Sequence, residues 1–428
     1  MNKVKVKKIV IAEKIYIKKT DVEAVGDLVA AYSFDNGDEI LSTLEESDTH
    51  FLVPSNSYYK LEWDELEDNR QFIKLDKPIN FNGTLRPEQK EAVDKFFIND
   101  RARSGLLQAK PGWGKTYAAC NLIARNSTRT LVLVHTVLLF EQWVKELSSQ
   151  LPGISLGKVG DGFFDIQDIT IAIYKTAYNN IDKLRNEFST LLVDEAHKCP
   201  ADMFSFVVNN INAKVKIAIT ATPRRKDGKH IYLEDFFSKF KVVAEDSRSL
   251  STPSVIIKKT DFKFAVVDPK RDWAKAVNKL CSDTLYQELI ASTAIGYIKQ
   301  KRCPLIIGDR VQMLKDLQKL IPDSICVIGE SDSEVREDAL LGLGTKYKAI
   351  LTTKLFDEGI SCHRLDTLFF TCPSNNPVQW EQRIGRIERL HPDKQFPLIV
   401  DFWLSGGIVA RQQQNRMLWY INRGYNIL

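Results

Sequence analysis

Lys115 and Thr116 close the segment Ala109-Lys110-Pro111-Gly112-Trp113-Gly114-Lys115-Thr116, whose residue types suit a phosphate. Glycines at 112 and 114 let backbone N–H groups point inward at phosphate oxygens, and a helix opening at Lys115 adds its partial positive charge. In such a loop Lys115 neutralises the outer phosphates and Thr116 holds magnesium. Ala109 stands where the general pattern has glycine, a small residue at the loop's mouth. Asp194-Glu195-Ala196-His197, with Glu195 eighty residues beyond Lys115, ends the apolar run Thr190-Leu191-Leu192-Val193. A buried strand ending in two carboxylates places them at a sheet's C-terminal edge, where α/β folds bind ligands. Asp194 is therefore a candidate magnesium ligand, and Glu195 a candidate for orienting an attacking water. Alone, the acidic pair also reads as a helix N-cap. The phosphate loop upstream favours the site.

Other residues could complete such a site. Thr220-Ala221-Thr222-Pro223 ends the next strand, and the hydroxyls of Thr220 and Thr222 could link the nucleotide to a neighbouring domain. In Gln382-Arg383-Ile384-Gly385-Arg386-Ile387-Glu388-Arg389, Arg386 and Arg389 are three apart and share one helix face. Guanidinium groups reaching across a cleft would stabilise charge on a transferring phosphoryl group. The plainer reading is a solvated basic helix paired with Glu381 and Glu388. Arg224, Arg225, Lys226 and Lys229 form a basic loop that could guide a duplex arm, and Trp113, Phe163 or Phe164 could stack on bases. Basic loops are commonly just solvated, and aromatics commonly core. The C-terminal residues Arg411, Arg416, Trp419, Tyr420 and Arg423 fit either a helix packed on the last domain or a strand contact.

These residues need a frame. At 428 residues the chain exceeds one core, so two or three domains are expected. The net charge of +5 is only mildly basic, so a nucleic-acid surface must be local. Seven cysteines show no C-x-x-C pair, which argues against a zinc site or disulfide framework and for a reducing, cytoplasmic setting. No stretch approaches the roughly 18 apolar residues of a membrane helix, so no membrane partner is expected.

Residues 1–83 read as a small α+β module. Its first 20 residues alternate apolar positions with lysines, seven Lys against one Glu, and suggest two strands. Residues 21–83 hold four Lys/Arg against fifteen Asp/Glu. This asymmetry could mean a DNA-facing strand pair backed by an acidic face, or simply a solvated domain. Residues 84–246 alternate β-branched runs (130–135, 169–173, 191–194, 216–220) with helical stretches, the pattern of a parallel sheet with crossover helices. Residues 247–272 read as a linker. Residues 273–428 repeat the alternation, with strands at 304–307, 325–328, 349–352, 367–370 and 398–401.

From Thr84 to about Lys394 the chain resembles the two-domain core of superfamily 2 helicases, its acidic motif being of the DEAH type. Leu85-Arg86-Pro87-Glu88-Gln89 is similar to the adenine-recognition motif, with Gln89 as base reader and Arg86 beside it. Val134-His135-Thr136 followed by Gln142-Trp143 resembles the first DNA-contact motif, and Thr176 matches another backbone-contact position. Thr353, with Phe356-Asp357-Glu358-Gly359-Ile360, resembles the fifth motif, which touches both strand and nucleotide. Ser361 stands where many members carry a ribose-holding Asp. Gln142-Trp143 and Thr222-Pro223-Arg224-Arg225 are similar to the branch containing UvsW-type phage and XPB-like helicases. The resemblance implies an α/β fold of two tandem RecA-like domains, ATP and Mg2+ as cofactors, and catalytic roles for Lys115, Asp194, Glu195, Gln382, Arg386 and Arg389. It also implies coupling through His197, Thr220 and Thr222, and a monomer acting in replication, recombination or repair by migrating branched DNA. An RNA helicase, a duplex translocase without strand separation, and a sensor with a dead ATPase are the rival readings.

Overall fold

The computed structural model describes residues 3–428 except 71, 199–201, 222–227, 246–251, 267, 354–361, 389–390 and 392–393. The chain divides into two compact units, 1–247 and 248–428.

The first unit begins with a five-stranded sheet in the order Glu45–Glu46, His50–Pro54, Lys14–Lys18, Val4–Ile11, Leu61–Asp68. The apolar positions of the first two strands bury Val4, Val6, Ile9, Ile11, Ile15 and Ile17 in the module's core. The charge asymmetry is arranged differently from the expected opposite faces. Basic and acidic residues pair with each other across the module: Lys8 is 3.3 Å from Glu67 on the neighbouring strand, Lys14 is 2.5 Å from Glu45, and Lys19 is 2.5 Å from Glu46. The charges thus offset each other locally, at about 0–1 kcal/mol per exposed pair.

This module is fastened to the large sheet of the same unit through Asp235 on helix Tyr232–Phe237. The carboxylate is buried and accepts from the Thr43 hydroxyl (2.7 Å) and the Tyr59 hydroxyl (3.0 Å), with the Lys60 ammonium 2.6 Å away. Asn56 donates to the Phe236 carbonyl at 2.9 Å.

That large sheet has eight strands in the order Phe163–Asp165, Leu156–Gly160, Ile169–Ile173, Thr130–Val134, Thr190–Val193, Val215–Thr220, Gly105–Gln108, Lys241–Val243. All neighbours are parallel except the first two. Every residue of Thr130–Val134, Thr190–Val193 and Val215–Thr220 is buried, as helices covering both faces require.

The second unit is a seven-stranded parallel sheet in the order Ser324–Val327, Ala349–Thr352, Pro304–Ile307, Thr367–Phe370, Leu398–Ser405, Ser254–Lys263, Asn426–Ile427. Here the 247–272 linker reading needs correction: Ser254–Lys263 is a strand of this sheet, and helix Pro269–Cys281 begins within the same span. Its neighbour on one side is only two residues long, so much of the strand stays wet and its sequence is polar. The C-terminal segment is helix Gly407–Asn422, packed on this sheet. Arg416 and Asp401 are both fully buried, with Arg416 Nε donating to Asp401 Oδ2 at 2.7 Å and the Tyr420 hydroxyl donating to the same oxygen at 3.1 Å. Arg416 is therefore structural. Among the described residues no helix is long and apolar enough to cross a membrane.

Candidate functional site

The phosphate loop joins strand Gly105–Gln108 to helix Lys115–Asn126. Gly112 (φ +75°) and Gly114 (φ +90°) occupy the left-handed region that side chains disfavour. A Cβ on Gly114 would also come 2.6 Å from Gln89 Nε2. Pro111 lies between Lys110 and this pair and is half-buried. Lys115 Nζ donates to the Ala109 carbonyl at 3.2 Å and Thr116 is half-buried in the helix's first turn.

Trp113 differs from its expected role. Its ring is fully buried in the core and its indole donates to the Glu245 carbonyl at 2.8 Å, so it presents no face to a base. Its backbone carbonyl does the local work, accepting from Gln89 Nε2 at 3.0 Å and from Arg86 Nη2. Gln89 Oε1 in turn accepts the Arg86 N–H at 3.0 Å. The adenine-motif side chains are thus tied to the phosphate loop, and the Gln89 amide keeps one N–H and one lone pair for a base edge. Tyr117, one residue past Thr116, accepts the Thr84 N–H at 3.0 Å and anchors the motif's start.

Asp194 and Glu195 follow strand Thr190–Val193. Glu195 is itself left-handed (φ +49°), a costly conformation for a non-glycine residue, and its N–H donates to Asp194 Oδ1 at 2.9 Å. Asp194 Oδ2 accepts from the Trp143 indole at 2.8 Å. Burial, then the Glu195 charge, pushes the Asp194 carboxyl up from its ordinary value. Burial acts the same way on Glu195, but the His197 contact and the charges of Lys115, His197 and His135 outweigh it and hold Glu195 down. His197 Nδ1 lies 3.2 Å from Glu195 and 3.1 Å from the Thr220 hydroxyl. Lys198 Nζ and His135 Nε2 are 2.6 Å apart.

A buried carboxylate at Asp194 beside a half-buried one at Glu195 suits a cation. The oxygens of Thr116 and Asp194 are hard donors that suit magnesium, which is usually held by one or two carboxylates together with substrate phosphates. Among the described residues no group of three or more His, Cys, Asp or Glu forms a cage for a resident metal.

The nucleic-acid candidates are dispersed. The Thr136 hydroxyl caps helix Val137–Gln150, accepting the Leu139 N–H at 3.2 Å. Gln142, on that helix, has a buried side-chain oxygen with no hydrogen-bond partner among the described residues. Thr176 is half-buried in helix Tyr174–Asn179, and Thr353 follows strand Ala349–Thr352. Phe163 and Phe164 are exposed on the sheet's edge hairpin. In the second unit, Gln382 and Arg386 are four residues apart on helix Pro377–Ile387 and share a face. The expected partnership of Arg386 with Arg389 falls outside the described residues. Thr222, Arg224, Arg225, Gly359, Ser361 and Arg389 lie outside the described residues.

Trp143 and Tyr117 are the contributors that sequence reading missed. The only signal for the first was the Gln142-Trp143 dipeptide, read as strand contact.

Residues 82–225 match the family model of the type III restriction enzyme res subunit, and residues 284–391 match the helicase conserved C-terminal domain. A probable helicase of Escherichia phage T5 is 26% identical over 76% of this chain and 73% of its own. The DNA 3'-5' translocase XPB2 of Sulfurisphaera tokodaii is 26% identical over 74% of this chain and 80% of its own. The structure of Saccharomyces cerevisiae Dbp5 bound to RNA and ADP BeF3 superposes with a TM-score of 0.58 at 12% identity, covering 80% of this chain and 94% of that one, and shares the tandem α/β fold. With both halves of the helicase core matched in order on two tandem RecA-like domains, the chain belongs to the superfamily 2 helicases and is a nucleic-acid-dependent ATPase.

Proposed function

We propose that this chain is an ATP-dependent DNA helicase or translocase that remodels branched DNA such as forks and junctions. The observation that carries the ATP half is the bonding of Arg86 and Gln89 to the Trp113 carbonyl, which joins base recognition to the phosphate loop. The DNA half is supported by relatives named as a phage helicase and a DNA translocase.

Lys115 neutralises the outer phosphates, and Arg86 and Gln89 fix the base. Thr116 and Asp194 would hold magnesium, which would supply charge neutralisation at the phosphoryl group. Glu195, kept ionised by its cationic neighbours, orients the attacking water by accepting its hydrogen bond. His197 couples that carboxylate to Thr220. Arg386 and Arg389, together with the uncharged Gln382, stabilise the transferring phosphoryl group, the two arginines by their positive charge. Thr136, Gln142, Thr176, Arg224, Arg225 and Thr353 hold the strand mainly through its phosphates, so binding depends little on sequence.

Duplex translocation without strand separation is the second reading, favoured by the name of the Sulfurisphaera relative. ATP turnover and strand displacement on single strand, duplex, fork, four-way junction and RNA test the proposal. Turnover stimulated by DNA, with fork and junction arms displaced, is expected. Stimulation by RNA alone would overturn the DNA reading, and stimulation by duplex without displacement would select the second.

A further inference from the structure

Trp143 lies at the middle of helix Val137–Gln150 and is fully buried. An indole has one hydrogen-bond donor and no acceptor, so a buried Trp ring directs a single N–H at one partner. Here the partner is a carboxylate 51 residues away, Asp194 Oδ2 at 2.8 Å, rather than a spare backbone carbonyl. The other oxygen, Oδ1, takes the Glu195 N–H at 2.9 Å. The terminal torsion of an Asp side chain is soft and broadly populated. Two donors, one on each oxygen, turn that soft torsion into a fixed plane. Each oxygen still keeps lone-pair capacity for a further ligand.

We propose that Trp143 is a positioning residue that sets the plane of the Asp194 carboxylate for the divalent cation of the ATP site. The inference rests on the reading of Asp194 as a cation ligand. Partners of this kind, which hold a ligating group without touching the metal, typically carry about 10- to 100-fold in metal affinity. A ring that merely filled the core would carry none of it through its N–H.

The test separates shape from hydrogen bond. Trp143→3-benzothienylalanine keeps the bicyclic ring and loses the donor, while Trp143→Phe loses the donor and part of the ring. Mn2+ binding to the full chain with ADP is titrated by electron paramagnetic resonance, and binding of a fluorescent ADP without divalent cation is measured alongside. Both variants are expected to bind Mn2+ about 10- to 100-fold more weakly, with cation-free ADP affinity unchanged. An isosteric variant that keeps wild-type Mn2+ affinity would overturn the proposal, leaving Trp143 a core residue. Asp194→Asn identifies a failure at the other level. It is expected to lose Mn2+ affinity too, and if it does not, Asp194 is no cation ligand and the proposal falls with that reading.

Discussion

Replacing Lys216 by methionine should stabilise this protein at neutral pH. Lys216 is the second residue of strand Val215–Thr220 and is almost fully enclosed. Among the described residues its ammonium reaches only carbonyl oxygens, Val208 at 2.8 Å and Glu13 at 3.5 Å. Burial, with smaller contributions from Arg70 and Lys14 and an opposing one from Glu13, lowers its pKa from 10.5 to about 7. At about 1.36 kcal/mol per pKa unit, that gap amounts to a penalty on the order of 4–5 kcal/mol near pH 7. Methionine removes the penalty but leaves the Val208 carbonyl without its donor, at a cost of about 1–3 kcal/mol. The net expectation is a gain of about 2–3 kcal/mol for Lys216→Met at pH 7.

The sign of the pH dependence comes from proton counting. Between pH 7 and 10.5 the unfolded chain holds a proton that the folded chain has released, so the lysine's penalty shrinks as pH rises. The variant's advantage should therefore close by about pH 9.5–10. Urea unfolding of parent and variant, followed by circular dichroism at pH 7 and 9.5, measures both quantities. A variant no more stable than the parent at pH 7, or an advantage independent of pH, would refute the reasoning.

Arg386→Ala should lower ATP turnover by about 10³–10⁵ while the circular dichroism spectrum stays that of the parent; near-normal turnover would remove Arg386 from the site. Asp235→Ala leaves Lys60 without its buried partner, and such breaks cost about 3–5 kcal/mol. Limited proteolysis should then cut within residues 1–83 well before the parent is cut, and equal resistance would mean that the Asp235 contacts do not hold the module. Raising salt from 50 to 200 mM should weaken DNA affinity steeply at every sequence, about 10³-fold if six phosphates are contacted. A flat salt profile, measured by fluorescence anisotropy, would rule out phosphate-dominated binding.

Much of the frame was legible because buried parallel strands have little choice of residue. The runs at 169–173, 304–307, 349–352 and 367–370 appear with their expected limits. Strand Ser254–Lys263 escaped notice because its wet positions carry Lys258, Lys259, Thr260 and Asp261, which read as connection. The opposite charges of residues 1–83 were visible, but sequence carries no register, and register put Lys8 opposite Glu65. Trp143 was noticed for its place after a contact motif. Its bond to Asp194 depends on how a helix packs under a sheet, which no local pattern encodes.

Strand order explains which motif touches which. Along the C-terminal edge of the first unit's large sheet, successive strands end near Tyr174, His135, Asp194, Thr220 and Ala109. Adjacent strands are about 4.8 Å apart, so the row spans roughly 19 Å. The backbone-contact candidates Thr176 and Thr136 occupy one end and the phosphate loop the other. The two carboxylates fall between them. His197 can reach Thr220 because their strands are neighbours, and Trp143 can reach Asp194 because its helix starts from the strand on the other side. Thr136 and Trp143 are seven residues apart on or at the head of that helix, two turns and roughly 10 Å. In this arrangement motifs scattered over more than a hundred residues become a row of neighbours, and the acidic pair sits between the strand-contact candidates and the phosphate loop.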